Sequence, residues 1–282
     1  MSELAFRNER NCSAIVHTEG GLRAIVCLLR SGDTQIQEDA TLIINNCAAF
    51  CEDVCPAIVA CPGMLDVLKA LITNGTNGAK YVAVGAINCL SRCAAARDQL
   101  LASRVVETAL VPVLKKKGAG DKHEAHVARA TMAIANLSGL TNEMFEDDST
   151  RDFALGTCVK ILGHALKGES WAGIHFAPYS VMFPLHNLTC RSSEADKLHL
   201  VQSGLAIHLT DLIAQWKLVL HQRHKTLTLA LQMSKSLCVS QETMRTMRDQ
   251  GLVQVRSNQW TGGGGMWAEE REEEEEVSRG QA

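Results

Sequence analysis

The stretch Gly20-Gly21-Leu22-Arg23-Ala24-Ile25-Val26-Cys27-Leu28-Leu29-Arg30-Ser31-Gly32-Asp33 decides how the chain folds. Leu22, Ile25, Val26 and Leu29 recur at i, i+3, i+4 and i+7, which is one face of an α-helix. A glycine pair opens that helix and Ser31-Gly32-Asp33 stops it. A longer apolar stripe follows at Ile36, Ala40, Ile43, Ile44, Cys47 and Ala48, and ends near Phe50. A short helix, a polar break and a long helix therefore form one unit.

The unit recurs outward from there. Pro62-Gly63 opens a helix over 64–71 that stops at Asn74-Gly75, and a longer one runs through Val82, Ala86 and Leu90. A short helix over 105–114 ends at Gly118 and Gly120, and a long one spans 126–140. Helices over 153–166 and 179–189 follow, then 204–213 and 226–238. Gly251-Leu252-Val253 opens another. The long helices share a pattern: Ala40, Ile44, Asn46 and Ala48 align with Ala130, Ile134, Asn136 and Ser138, and with Val181, Leu185, Asn187 and Thr189. Ala83, Ile87, Leu90 and Ser91 fit with Cys89 in the Asn position, and Ser236 marks a looser copy. These positions step by 43, 47, 51 and 49 residues, close to the roughly 40–47-residue period of two- and three-helix repeats.

Composition agrees. Hydrophobic residues make up 46% and aromatic ones 4%; Ala and Leu favour helix where strands favour aromatic and β-branched residues. The net charge is −3, and seven Glu against two Arg follow Gly262, so the body offers no basic stripe for nucleic acid. Lys115-Lys116-Lys117 reads as a solvated helix end, where cations suit the macrodipole. No apolar run is long enough to span a membrane, and residues 1–10 lack the apolar core of a signal peptide. The 11 cysteines read as reduced thiols in the cytosol or nucleus. Gly262 to Gly265 reads as a hinge, and Glu272 to Glu276 as part of a disordered acidic tail.

The first unit, from Gly20-Gly21 to Asn46 and Ala48, resembles an armadillo repeat, and the resemblance extends over about residues 1–258. It implies an all-α, right-handed superhelix of about five units, the first and last incomplete, with 259–282 as hinge and tail. Residues 4–17 then correspond to the end of a third helix and a first helix. The spacing lengthens after Asp147, and 171–178 looks like an insertion. The resemblance also implies that the third helices line a concave groove and that the Asn position projects into it, where an amide can hold a peptide backbone. Import receptors of this family carry Trp one turn before that Asn. Here Leu42, Met132 and Phe183 stand there, so the lysine-clamping ladder is missing.

A protein-binding scaffold is the expected function, with an extended or helical segment of a partner protein in the groove and no enzymatic activity or cofactor. The groove residues expected from helical spacing are Asn46, Asn136 and Asn187, with Phe50 and Arg191 four positions later and Asp39 and Arg129 seven earlier. The two arginines suit an acidic partner. The alternative is a cysteine-based metal or redox protein: Cys47, Cys51 and Cys55 are spaced four apart with Cys61 beyond, although Cys on a helix face also packs as a small hydrophobe. No nucleophile elbow, phosphate loop or zinc-protease motif occurs. Exposed repeat ends would favour self-association, because terminal units need polar caps.

Overall fold

The computed structural model describes residues 2–116, 118–214 and 223–252. Lys117 and the hinge and tail expected over 259–282 lie outside the described residues. The chain is a stack of helices with one two-stranded hairpin among the described residues. Helix α1 (Ser2–Ala5) is followed by three three-helix units: α2 (Glu9–His17), α3 (Gly21–Leu29) and α4 (Thr34–Phe50); α5 (Cys55–Ala60), α6 (Met64–Asn74) and α7 (Asn77–Arg92); α8 (Ala94–Ala102), α9 (Val111–Lys115) and α10 (Asp121–Leu137). A fourth unit holds α11 (Asp148–Lys167) and α12 (Pro178–Arg191). A fifth holds α13 (Glu194–Gln202), α14 (Leu205–Ala214) and α15 (Arg223–Leu237), and α16 (Gln241–Asp249) follows.

The junction between first and second helices explains the recurring glycine. Helices α2 and α3 meet at 90°, and the turn needs a left-handed residue just before the second helix. Gly20, Gly63 and Gly204 supply it with φ of +73°, +79° and +97°, a conformation that costs glycine nothing; Gly251, after α16, is left-handed too at φ +85°. In the third unit Arg104 takes the same place at φ +56°, with a cost of about 1 kcal/mol for an L side chain. Two of the third helices, α4 and α7, start on side-chain caps: Asp33 accepts from the backbone N–H groups of Gln35 and Ile36, and Thr76 from that of Ala79, each satisfying amides the helix cannot.

Two departures from regular repeats have local causes. A π-helical stretch, Val106–Leu110, precedes α9. Pro112 has no N–H and its ring would strike the carbonyl four residues back; the wider turn relieves this. In the fourth unit a 3-10 turn at Asn142–Met144 stands where the first helix would be, and α11 runs 20 residues. The 171–178 insertion contains a hairpin, with Ser170–Trp171 antiparallel to Ile174–His175. Ala172 and Gly173 turn it with φ of +51° and +78°, the paired positive values of a tight hairpin turn. Trp171, 4% exposed, anchors it by stacking on His164 at 5.9 Å.

Every residue of α10 from Val127 to Leu137 is buried. Its Val127, Ala130, Ala133 and Ile134 belong to the apolar core of the first three units, and its Ala125, Ala128, Met132 and Ala135 to that of the later ones. Five alanines let neighbouring helices approach from both sides, and α10 joins the two cores into one stack.

Candidate functional site

The third helices α4, α7, α10, α12 and α15 pack on one another in that order and form one layer. A line of polar side chains crosses it. The Asn136 amide donates to Ser91 Oγ at 3.0 Å, and Asn187 Nδ2 donates to Asn136 Oδ1 at 2.9 Å. Ser236 donates to the Thr189 carbonyl at 2.6 Å. These three bonds tie α7 to α10, α10 to α12 and α12 to α15.

The expected groove residues fall into two groups. Asn46 and Asn136 are buried at 5% and 1% exposure and Arg129 at 7%, inside the layer. Asp39 and Arg191 are exposed, and Asn187 and Phe50 half-buried. Asp39 accepts from Gln35 Nε2. The Phe50 ring meets Phe6 edge-on at 5.3 Å.

Arg129 lies across α7. Its guanidinium carbon sits 4.6 Å from the centre of the Tyr81 ring and 5.4 Å from that of Phe176, and Nη1 donates to the Tyr81 carbonyl at 3.2 Å. Gly85 makes this possible: a Cβ there would come within 2.8 Å of both Arg129 Nη1 and Asn45 Oδ1. Gly85 stands one turn before Cys89, in the series Leu42, Met132 and Phe183, and its missing side chain was the one readable sign of this arrangement. Tyr81, Asn45, His126 and Phe176 carried none. Burial holds His126 down to about 4, with Arg129 adding to the effect, and His123, His186 and His208 are lowered by burial too. These rings fold neutral and unfold to a value near 6.5, so their contribution is full above that pH and is lost as pH falls towards 4. Urea midpoints measured between pH 7 and 5 should fall accordingly, with a weaker fall in His126→Gln; a flat profile counts against the burial.

No known family matches the sequence, and no curated protein matches it. Among solved structures, an engineered protein matches at 20% identity over 94% of this chain and 59% of its own length, with a TM-score of 0.54. A second engineered protein matches at 20% identity over 84% of this chain and 86% of its own, with a TM-score of 0.50. A designed armadillo repeat protein in complex with a (KR)4 peptide matches at 18% identity over 84% and 89%, with a TM-score of 0.48. The chain's own geometry carries the fold: three helices per unit, a left-handed residue opening the second helix and the third helices stacked in order are the features that the armadillo resemblance implied. The fold is an armadillo-like repeat solenoid.

Within the solenoid the cysteine row does not form one face. Helix α4 ends at Phe50, Cys51 is extended at φ −142°, and the chain then bends by 118° into the next helix. Among the described residues, no three His, Cys, Asp or Glu side chains converge to hold a metal ion. Cys47, Cys51, Cys55 and Cys61 are buried, and Cys55 Sγ faces the Ala48 carbonyl at 3.8 Å. Burial pushes the Cys47 thiol up to about 12 and raises Cys55 as well, whereas metal binding and redox attack need thiolate. Cys27, Cys190 and Cys238 are exposed. A thiol reagent should modify these three rapidly in the native state and the buried ones only on unfolding.

Asp152, His199 and Ser203 come close to a nucleophilic triad without forming one. His199 Nε2 lies 2.9 Å from the Asp152 carbonyl and 3.2 Å from Ser203 Oγ. A carbonyl only accepts, so that nitrogen carries the proton and cannot take one from the serine.

Proposed function

We propose that the chain is a scaffold that binds a segment of a partner protein, extended or helical, along the layer of third helices. The observation that carries this reading is the unbroken sequence of α4, α7, α10, α12 and α15, with chemically varied side chains reachable from solvent along it. Asp39, Phe50, Asn187 and Arg191 are the contacts a partner meets first. Asn46 is buried in the layer, Asn136 ties three of its helices together, and Arg129 and Arg191 favour an acidic partner. Solenoids present such extended surfaces because each unit contacts only its neighbours.

Affinity capture with the wild type and with Asp39→Lys/Arg191→Glu tests the reading. Both positions are exposed, so the fold should survive, as circular dichroism would check. The double variant should lose at least one captured protein. Identical partner lists would remove this surface from the account. Leu4 and Phe6, 59% and 52% exposed, support a second reading, self-association through the face that carries them. Light scattering showing a monomer across concentrations would count against that.

A further inference from the structure

Arg129 is a buried cation without an anion. It is 7% exposed, and among the described residues no Asp or Glu forms an ion pair with it. A guanidinium carries five N–H donors, and the hydrogen bond it makes uses one, to the Tyr81 carbonyl. Two aromatic faces compensate in part for lost hydration. Around it lie two further polar atoms that can donate and have neither solvent nor partner: Tyr81 Oη and His126 Nε2. The Tyr81 and His126 rings are 6.3 Å apart, and Lys80 and Lys116 lie near enough to His126 to add positive potential. Buried polar groups are almost always satisfied, so a cluster of unsatisfied ones around an unpaired cation marks a place where a ligand belongs.

We infer that this recess receives the carboxylate of an Asp or Glu side chain from an acidic partner segment, and that Phe176 closes it in the free chain. The inference rests on the scaffold reading and names the chemistry of one contact within it. The guanidinium lies over the Tyr81 and Phe176 ring faces; when Phe176 lifts, Tyr81 still covers one face and the guanidinium edge is open to approach. A flat carboxylate can continue in that plane and bond in parallel with two N–H groups. A tetrahedral phosphate would press an oxygen against the Tyr81 ring and finds a single guanidinium. Tyr81 Oη and His126 Nε2 can each donate to the bound group. Phe176 comes from outside the helical layer: it follows the hairpin that Trp171 anchors, so it can lift while the helices hold still.

The probes are a fluorescein-labelled oligoglutamate peptide, an oligolysine peptide and a phosphoserine peptide of equal charge, titrated by anisotropy at fixed salt. Phe176→Ala should bind oligoglutamate about tenfold more tightly than wild type, because the closed state no longer competes. Arg129→Met should weaken binding at least tenfold in both backgrounds, whereas Arg23→Met, an exposed cation on α3, should not. Arg129→Met should also melt at or above the wild-type temperature, since it removes an unpaired charge; a purely structural arginine would lower it. The inference is overturned if neither wild type nor Phe176→Ala binds oligoglutamate, if Arg129→Met binds unchanged, if Arg23→Met weakens binding equally, if the phosphopeptide binds tighter, or if Arg129→Met lowers the melting temperature. Partner capture lost in Asp39→Lys/Arg191→Glu but unchanged in Arg129→Met leaves the scaffold reading standing and removes this one. Oligoglutamate binding through Arg129 with identical partner lists does the reverse.

Discussion

Asn136→Ala is expected to lower stability by about 2–4 kcal/mol, an effect concentrated in the later units. Asn136 is 1% exposed and uses both ends of its amide, donating to Ser91 Oγ and accepting from Asn187 Nδ2. Alanine removes both bonds: the buried Ser91 hydroxyl keeps only its donation to the Asn88 carbonyl, and the half-buried Asn187 amide loses its acceptor on α10. Each buried polar group left unsatisfied costs about 1–3 kcal/mol, more than the bond itself contributed. Asn136→Leu restores volume but strands the same partners, so it should recover little. In a solenoid the damage stays near the broken interface, because stability is close to a sum of unit and neighbour contributions. Hydrogen exchange should therefore accelerate in α12 and α13 while α4 keeps its protection. A loss below about 0.5 kcal/mol, the range of an ordinary surface substitution, would mean the polar line holds nothing together.

The second large effect is expected at Arg151. Its Nε lies 3.1 Å from Asp196 Oδ1, with side-chain exposures of 15% and 12%, and joins α11 to α13. Nη1 donates to Asn142 Oδ1 at 2.8 Å, and Nη2 pairs with Asp148 at 3.3 Å. Arg151→Met leaves Asp196 with the Ser193 hydroxyl, which donates to it at 2.8 Å, and no neutralising charge. Breaking a buried pair from one side costs about 3–5 kcal/mol; the partial exposure here places the expected loss near about 3. Adding Asp196→Ala should recover more than half of it, since the stranded charge dominates the penalty. Chemical denaturation of the single and double variants measures this. A double variant no more stable than Arg151→Met would assign the loss to packing of the arginine stem.

Both effects depend on side chains whose partners lie far along the chain. Asn136 and Ser91 are 45 residues apart, and Asn187 and Asn136 are 51 apart. Helical spacing showed that Asn46, Asn136 and Asn187 share a register, and that register is what lets Asn136 and Asn187 meet. Spacing within one helix could not show that the next helix stands close enough to use up the amide. The four-apart cysteines illustrate the opposite failure: their spacing runs on past Phe50, where the apolar stripe and the helix both end, and Cys51 turns the chain.

The repeat itself was legible from the amino-acid order alone. Leu22, Ile25, Val26 and Leu29 give a helix face by period, and a left-handed turn recurs where Gly20, Gly63, Gly204 and Gly251 stand. These are local matters of backbone sterics and apolar spacing, and they determine an all-helical stack. What tertiary structure decided is which polar side chains remain available. Five small residues in α10 let its neighbours close over Arg129 and Asn136, and Gly85 admits a guanidinium that any Cβ would obstruct. The hairpin carries Phe176 onto that cation from 47 residues away in sequence. Accessibility follows from interhelical distance, which no single helix contains.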